Sequence, residues 1–200
     1  VLDFGTFQTE RKLPLLADVL DRLYEATDAE YLIFSNNDTA LMPHFYVVID
    51  AHIKAGKDAF AINRRTISAN FQSQAQISLM YAELGEKQDE HDCFVFRRDA
   101  YPHYKLGRIC VGIPLFDRVL LWNQACQARK FKELKKKHVT FSISSEQRWR
   151  EDGYADYWAH NKREASSVMM ALKRENGQFG NNGPFSLYPF DSDLMNEKAN

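Results

Sequence analysis

The sequence predicts an α/β fold in which a layered, mainly parallel sheet is flanked by helices. Helical patterns alternate with short apolar runs through most of the 200 residues, and this alternation is typical of parallel sheets built from β-α-β units. Hydrophobic residues make up 44% of the chain and charged residues 26%, as in an ordinary soluble globular protein. We therefore expect a single domain over residues 1–175 and an extended arm over residues 176–200, where glycine and proline favour turns.

The first part of the chain predicts a helix, a strand and a second helix. Apolar residues recur every three or four positions over residues 10–27, which indicates an amphipathic helix. The strand-forming residues of Tyr31–Ser35 predict a buried strand. Pro43 suits the first position of the next helix, and Gly56 suits its end.

The middle of the chain continues this alternation. Residues 58–63 are an apolar run and predict a second strand. Residues 70–84 permit a helix, which we expect, or a loop. Residues 86–91 are charged and predict a loop, whereas the apolar run at 92–97 predicts a third strand.

The last elements follow from the same patterns. Residues 108–112 predict a strand or a strand-like link, and Pro114 suits the start of a helix whose first turn contains Asp117. Residues 138–143 alternate between apolar and polar side chains and predict a strand. Residues 154–175 have the spacing of a helix.

The charge distribution argues against two classes of partner. The formal net charge is −1, so the field of the whole molecule does not favour a nucleic acid or an anionic membrane. The basic run at residues 129–138 is most simply a solvated helix end before a strand, and phosphate or nucleic-acid binding is the alternative. No apolar run is long enough to predict a transmembrane segment, and residues 1–9 lack the pattern of a signal peptide.

The cysteines indicate a reducing environment. There are three of them, an odd number, and they lack Cys-x-x-Cys spacing. Small buried thiols of this kind are typical of the cytoplasm or another reducing compartment. We therefore expect Cys93, Cys110 and Cys126 to be unpaired.

Polar side chains directly follow the first predicted strand. Asn36, Asn37 and Asp38 come after Tyr31–Ser35, and ligands of open α/β sheets bind outside the carboxyl ends of the strands. Carboxylate and amide oxygens suit a hard cation such as Mg²⁺, although a turn or a helix cap would use the same residues. Neither a glycine-rich dinucleotide motif nor a P-loop is present, so the usual fingerprints of dinucleotide-binding proteins and NTPases are missing.

Several short motifs occur in a fixed order over about residues 10–165. They are Asn36 to Asp38, residues 42–46, residues 58–66, residues 91–96, Gly112 with Asp117, residues 138–141, and Tyr157 with His160 and Asn161. In order and spacing these motifs together resemble GT-A-type glycosyltransferases. That resemblance implies a nucleotide-sugar donor whose diphosphate is clamped by Mn²⁺ or Mg²⁺, and an acceptor hydroxyl that receives the sugar.

The resemblance also implies roles for individual residues. Asn36 and Asp38 match the outer members of the family's metal motif, and His138 could match its late histidine ligand. Asp117 matches the acidic residue of a later helix and is the candidate base for the acceptor hydroxyl. Stabilising the first turn of a helix is an equally simple role for Asp117, and a surface position is a simple role for His138.

Arginines at predicted strand ends are candidates for binding the donor. A guanidinium group can pair with two diphosphate oxygens at once. The candidates are Arg64, Arg65, Arg97 and Arg98.

Two features depart from the family pattern. Asn36 stands where the family often has Asp, which lowers the charge available to a cation. The strand–helix–strand units that bind the nucleotide base in the family have no counterpart before residue 10. We therefore predict a metal-dependent glycosyltransferase domain that lacks its first nucleotide-binding strands, either because the chain is a fragment or because another segment supplies them. The alternative is a catalytically degenerate scaffold or binding subunit whose sheet is completed by a protein partner; a nucleic-acid-binding module is a more distant possibility.

Overall fold

The computed structural model describes residues 12–71, 73–143 and 153–176. The helices are α1 (Leu16–Glu25), α2 (Phe45–Lys54), α3 (Ile77–Ala82), α4 (Phe116–Gln127) and α5 (Ala155–Asn176). The strands are β1 (Tyr31–Ser35), β2 (Ala40–Leu41), β3 (Ala59–Thr66), β4 (Glu86–Arg97), β5 (Phe131–Leu134) and β6 (Thr140–Ser142). Short 3₁₀ turns lie at Gln74–Gln76 and Arg98–His103. The predicted arm at residues 177–200 lies outside the described residues.

The strands form one mixed sheet in the order β1-β4-β3-β6-β2, with β5 beside the first half of β3. β4 is antiparallel to both β1 and β3, whereas β5 and β6 are parallel to β3. The α/β class is confirmed, but the prediction of a mainly parallel sheet is wrong. The reason lies in residues 67–85, which make a short return rather than a full crossover, so that Glu86 pairs directly with Thr66 at the end of β3.

Helices cover both faces of the sheet. On one face, Leu32 and Phe34 of β1 and Phe94 and Phe96 of β4 pack in a core formed with α1, α4 and α5. On the other face, residues of the opposite parity pack with α2, and Ile49 is one of its contacts. Strand residues of alternate parity therefore enter different cores, as the two-residue repeat of a strand requires.

The first helix begins later than its apolar spacing predicts. Residues before Leu16 are extended, because Leu15 forms a bridge with Cys110 and the Pro14 carbonyl oxygen accepts a hydrogen bond from Val111 at 2.9 Å. The part of the prediction at residues 10 and 11 lies outside the described residues. The backbone of residues 14 and 15 is thus bonded to a distant segment, which overrides the helical pattern.

Two further predictions are corrected in the strands. Residues 86–91, predicted as a charged loop, are the first half of β4, and their side chains are mostly exposed because this half covers little core. The basic run at residues 129–138, predicted as the end of a helix, contains strand β5, which lies parallel to Ala59–Ile62. Pairing with a buried strand fixes the backbone of both segments despite their polar sequences.

The predictions for β1 and α5 are confirmed, and α2 is shorter at its start than predicted. β1 has the predicted bounds Tyr31–Ser35, and α5 lies where residues 154–175 predicted a helix. Pro43 precedes α2 instead of starting it, and Gly56 ends that helix region with a φ of 79°. In the described part of the chain, no helix combines the length and the apolar character needed to cross a membrane.

Candidate functional site

The carboxyl end of β1 leads into a tight turn. Leu32 and Phe34 anchor the strand in the core, so the turn begins at a fixed point on the edge of the sheet. The Asn36 carbonyl oxygen accepts a hydrogen bond from the Thr39 backbone N–H at 3.2 Å. Asp38 lies inside this turn, and its side chain is exposed.

Beside this turn, β4 contains a bulge. Ile62 pairs with Cys93, but the next residue of β3, Asn63, pairs with His91, so Asp92 is an extra residue that the ladder skips. A second irregularity follows, and the Asn63 side-chain amide closes it by donating to the backbone oxygens of Gln88 and Asp89, at 3.0 and 3.2 Å. Bulges are frequent beside functional sites because they redirect side chains.

Asp92 is the centre of the site. It is only 4% exposed. Its Oδ1 accepts a hydrogen bond from Asn36 Nδ2 at 2.9 Å, and its Oδ2 lies 2.9 Å from Arg64 Nη1. The Asn36 backbone N–H donates to the Asp92 carbonyl oxygen, also at 2.9 Å. Asp92 thus connects the turn after β1 to the carboxyl end of β3.

The electrostatics of Asp92 reveal two neighbouring carboxylates. Burial raises the pKa of Asp92 to about 6, and the Arg64 guanidinium opposes this rise. The negative charges of Asp38 and Asp117 raise the pKa further. Asp38 and Asp117 therefore lie close enough to Asp92 to act on its charge, and we call these three residues the carboxylate cluster. A buried carboxylate with a strongly raised pKa, such as Asp92, occurs preferentially at functional sites.

Asp117 joins the carboxylate cluster from the first turn of α4. The residue at the start of this helix, Leu115, has a φ of 84°, a left-handed conformation that is unfavourable for a leucine. The Asp117 side chain is half-buried, and burial raises its pKa, while the positive charges of Arg118 and His91 oppose that effect. Asp117 is therefore a better proton acceptor than a fully solvated carboxylate.

Two residues of α5 hold the loop that precedes Asp117. Asn161 is fully buried, and its Nδ2 donates to the carbonyl oxygen of Pro114 at 3.1 Å. His160 Nε2 lies 2.7 Å from the carbonyl oxygen of Arg108. The motif that contains His160 and Asn161 thus has a structural role here: it fixes the loop from which α4 starts.

A buried histidine lies next to the carboxylate cluster. His91 is 2% exposed, and its Nε2 lies 2.6 Å from Glu133 Oε1 on β5. Lys135 Nζ is 3.0 Å from the same glutamate oxygen. Because the charge of His91 also acts on Asp117, this pair forms part of the electrostatic environment of the site.

Three of the predicted arginines serve other parts of the fold. Arg65 Nη2 donates to the Gly85 carbonyl oxygen at 2.7 Å, and its Nε bonds to the Leu84 carbonyl oxygen. Arg97 pairs with Asp99 and Glu30, and it lies opposite Tyr31, at the far end of β1 from Asn36. Arg98 binds the backbone oxygens of Thr27 and Tyr24. Of the predicted arginines, the structure brings only Arg64 to the carboxylate cluster.

His138 is not grouped with the carboxylates. The His44 ring binds the His138 carbonyl oxygen at 2.9 Å. Burial lowers the pKa of His138, and the positive charges of Arg65 and His44 lower it further. Positive charges therefore lie around His138, which precedes β6 in the chain. The assignment of His138 and Asp38 to one set of metal ligands stays a prediction.

The residues present suit a divalent cation that is shared with a ligand. Within residues 12–71, 73–143 and 153–176, no group of three or more His, Cys, Asp or Glu side chains could hold a metal ion alone. Exposed Asp38 and the amide oxygen of Asn36 are hard oxygen donors, which Mg²⁺ and Mn²⁺ accept. Mg²⁺ is commonly bound through one or two carboxylates together with substrate phosphates, so this donor set fits that mode.

The sequence patterns did not assign a role to Asp92, His91 or Glu133. One signal for Asp92 was present: it has the same parity as Phe94 and Phe96, which face the core, so a regular strand would bury its charge. A buried carboxylate needs partners, and these come from β1 and β3. Glu133 lies in the basic run, where its surroundings suggested only a solvated surface.

The fold and the carboxylate cluster define an α/β protein with an acidic site at the carboxyl end of a sheet strand. No protein-family model matches the sequence, and no curated protein matches it. Solved structures of residues 1–349 of S. aureus TarS are similar in fold. The complex with UDP-GlcNAc has 12% identity and a TM-score of 0.45, and the match covers 90% of this chain and 58% of that one.

The complex of the same TarS fragment with UDP has 11% identity and a TM-score of 0.41, covering 82% of this chain and 52% of that one. The chain described here therefore spans little more than half the length of these structures. Because the identity and the TM-scores are low, the similarity concerns the backbone fold alone, and it assigns a role to no residue of this chain.

Proposed function

We propose that this chain is a glycosyltransferase domain that transfers a sugar from a nucleotide-sugar donor to an acceptor hydroxyl with the help of Mn²⁺ or Mg²⁺. The observation that carries this proposal is the carboxylate cluster. Asp38, Asp92 and Asp117 converge beside Arg64 at the carboxyl end of β1, where α/β proteins bind ligands. Assembling like charges in this way costs stability, which a functional requirement explains.

Asp38 is the residue that would hold the cation. Its carboxylate is exposed in the turn after β1, whereas Asp92 is buried and already paired with Arg64. Asn36 would contribute its amide oxygen from the start of the same turn. When bound, the cation stabilises the negative charge that develops on the leaving diphosphate and fixes the orientation of the donor.

Asp117 is the residue that would accept the proton of the acceptor hydroxyl. Its raised pKa brings it closer to the range in which a carboxylate accepts a proton readily at neutral pH. The loop before α4 is held by buried side chains of α5, so the carboxylate is presented from a rigid base. Such a base commonly accelerates transfer by a factor of about 10² to 10⁴.

Arg64 would complete the donor site. One of its N–H groups pairs with Asp92. The guanidinium therefore keeps donors for a phosphate oxygen of the donor molecule. Its pairing with Asp92 also holds it in place when no ligand is present.

Binding of nucleoside diphosphates tests this proposal directly. ADP, CDP, GDP and UDP are titrated by calorimetry with and without Mn²⁺, into the wild type and Asp38→Ala. We expect at least one nucleotide to bind more tightly with Mn²⁺, and Asp38→Ala to abolish that enhancement. Asp50→Ala is the matched control, because Asp50 is an exposed aspartate on α2 that pairs only with Lys54 among the described residues.

Lack of binding by every nucleotide would contradict the glycosyltransferase proposal. In that case the alternative of a catalytically degenerate binding subunit would gain support. If Mn²⁺ enhanced nucleotide binding equally in the wild type and in Asp38→Ala, Asp38 would not be a metal ligand. The proposal that the chain binds a nucleotide-sugar donor would still stand.

A further inference from the structure

We infer that Asp92 is a positioning residue that fixes the amide of Asn36, so that Asn36 can act at the metal site in place of the aspartate expected there. This inference rests on the proposed function. It explains why an asparagine is compatible with that position. Asp92, on the neighbouring strand β4, supplies the missing negative charge and is itself bound by Asn36.

The contact between the two residues is double. The Asn36 backbone N–H donates to the Asp92 carbonyl oxygen, and the Asn36 side-chain Nδ2 donates to Asp92 Oδ1, both at 2.9 Å. Asn36 lies directly after β1, and Asp92 is the extra residue of the bulge in β4. The regular antiparallel register of β1 and β4 pairs Ser35 with Cys93 and so places Asn36 opposite Asp92, while the bulge interrupts only the pairing of β4 with β3.

The contact also determines which way the Asn36 amide faces. An ionised carboxylate only accepts hydrogen bonds, so the amide must present its nitrogen to Asp92. Nitrogen and oxygen lie on opposite branches of one planar group, and the Asn36 oxygen is therefore turned away from Asp92. Asn36 is only half-buried, and in this inference its oxygen is the atom that faces a ligand bound at the turn.

Arg64 fixes Asp92 from the other side. The two Asp92 oxygens are divided between Asn36 and Arg64, so the carboxylate cannot rotate without losing one of the contacts. A buried ion pair that holds Asp92 in this way orients the residue that would touch the ligand, as residues behind metal ligands generally do.

The arrangement predicts different defects for two single substitutions. In Asp92→Asn, the new amide faces two donors, Asn36 and Arg64, with a single oxygen. The Asn36 amide must then turn its oxygen toward position 92 to accept a hydrogen bond from the new Nδ2 group. The Asn36 oxygen therefore no longer faces the ligand. In Asn36→Asp, two carboxylates meet at the former hydrogen-bond distance with no donor between them.

The exchanged pair, Asn36→Asp with Asp92→Asn, restores every contact in reverse. The Asn at position 92 donates to the Asp at position 36 through Nδ2 and accepts from Arg64 through Oδ1. The second oxygen of the Asp at position 36 then takes the place of the Asn36 amide oxygen. The exchanged protein should therefore recover the site, although each single substitution damages it.

Mn²⁺ affinity in the presence of nucleoside diphosphate tests this inference. Free Mn²⁺ is measured by electron paramagnetic resonance with the full 200-residue chain and the nucleotide that the wild type binds best. We expect each single substitution to weaken Mn²⁺ binding by a factor of about 10 to 100, and the exchanged pair to restore most of the loss. Circular dichroism of all four proteins shows whether each is folded.

Each outcome supports or overturns the inference. Affinity that is unchanged in Asp92→Asn, or that the exchange fails to restore in a folded protein, overturns it without affecting the proposed function. If Asp92→Asn does not fold, Asn36→Asp and the exchanged pair provide the same comparison. If wild-type protein shows no Mn²⁺-enhanced nucleotide binding, the proposed function fails, and this inference fails with it.

Discussion

Asn161 binds the backbone of Cys110 through both polar atoms of its side chain. Its Oδ1 accepts from the Cys110 N–H at 2.8 Å, and its Nδ2 donates to the Cys110 carbonyl oxygen at 2.9 Å. Both residues are fully buried. The segment that ends at Asp117 is therefore held to α5 by a contact that water cannot replace.

Replacing Asn161 should destabilise the fold and displace Asp117. Asn161→Ala leaves the buried N–H and carbonyl oxygen of Cys110 without the partners described here, so we expect the free energy of unfolding to fall by about 3 kcal/mol. Urea unfolding measures the loss. Arg174→Ala, an exposed change on the same helix, is the control and should change stability by less than about 0.5 kcal/mol. Equal stability of the two variants would contradict this role.

Local patterns were sufficient for elements that local forces determine. Tyr31–Ser35 combines strand-forming residues with a turn at its end, and the helical spacing of residues 154–175 persists over several turns, so both elements were predictable. The first half of β4 was not, because its exposed charged residues resemble a loop. The end of β3 determines the conformation of that segment.

The candidate site was predictable only in part, for the same reason. Asn36 and Asp38 follow a recognisable strand, and Asp117 lies in the first turn of a recognisable helix. Asp92 contacts Asn36 across 56 positions of sequence, because β1 pairs with β4 in a register that no local pattern indicates. Contacts of this kind depend on strand order, and the order of this mixed sheet differs from the predicted one.

The raised pKa of Asp92 predicts how the stability of the metal-free protein depends on pH. The folded state holds the Asp92 proton up to about pH 6, whereas the unfolded chain releases it near the ordinary aspartate pKa of 3.8. The stabilisation from this proton is therefore complete below the unfolded pKa and is lost as pH rises through about 6. The loss amounts to at most about 3 kcal/mol.

Urea unfolding in the presence of a chelator, at several pH values between 4 and 7, measures this dependence. Asp92→Asn has no carboxyl proton at that position, so its stability should fall less steeply over this range than that of the wild type. Identical slopes for the two proteins would show that Asp92 does not hold its proton in the folded state.

The three cysteines should be unreactive in the folded protein and free in the unfolded one. Burial raises the pKa of each thiol to about 12, which leaves little thiolate at pH 8. Cys126 is only half-buried, whereas Cys93 and Cys110 are buried, so Cys126 should react first with a thiol reagent. After denaturation without reductant, three equivalents of thiol per chain should react rapidly. In the folded protein, Cys126→Ser should remove the fastest phase of the reaction. Fewer than three equivalents in the wild type would indicate a disulfide.

Asp117 and Asp38 should be separable by kinetics, because one is proposed to accept a proton and the other to hold the donor. Asp117→Asn keeps the shape of the side chain but removes the base, so we expect donor binding with Mn²⁺ to remain within about threefold, while turnover falls by a factor of about 10² to 10⁴. Water can serve as the acceptor, and the release of nucleoside diphosphate from a panel of nucleotide sugars measures turnover. Asp38→Asn should instead weaken binding itself. If Asp117→Asn turned over donor at the wild-type rate, another residue would have to be the base, and the proposed division of roles within the carboxylate cluster would be wrong.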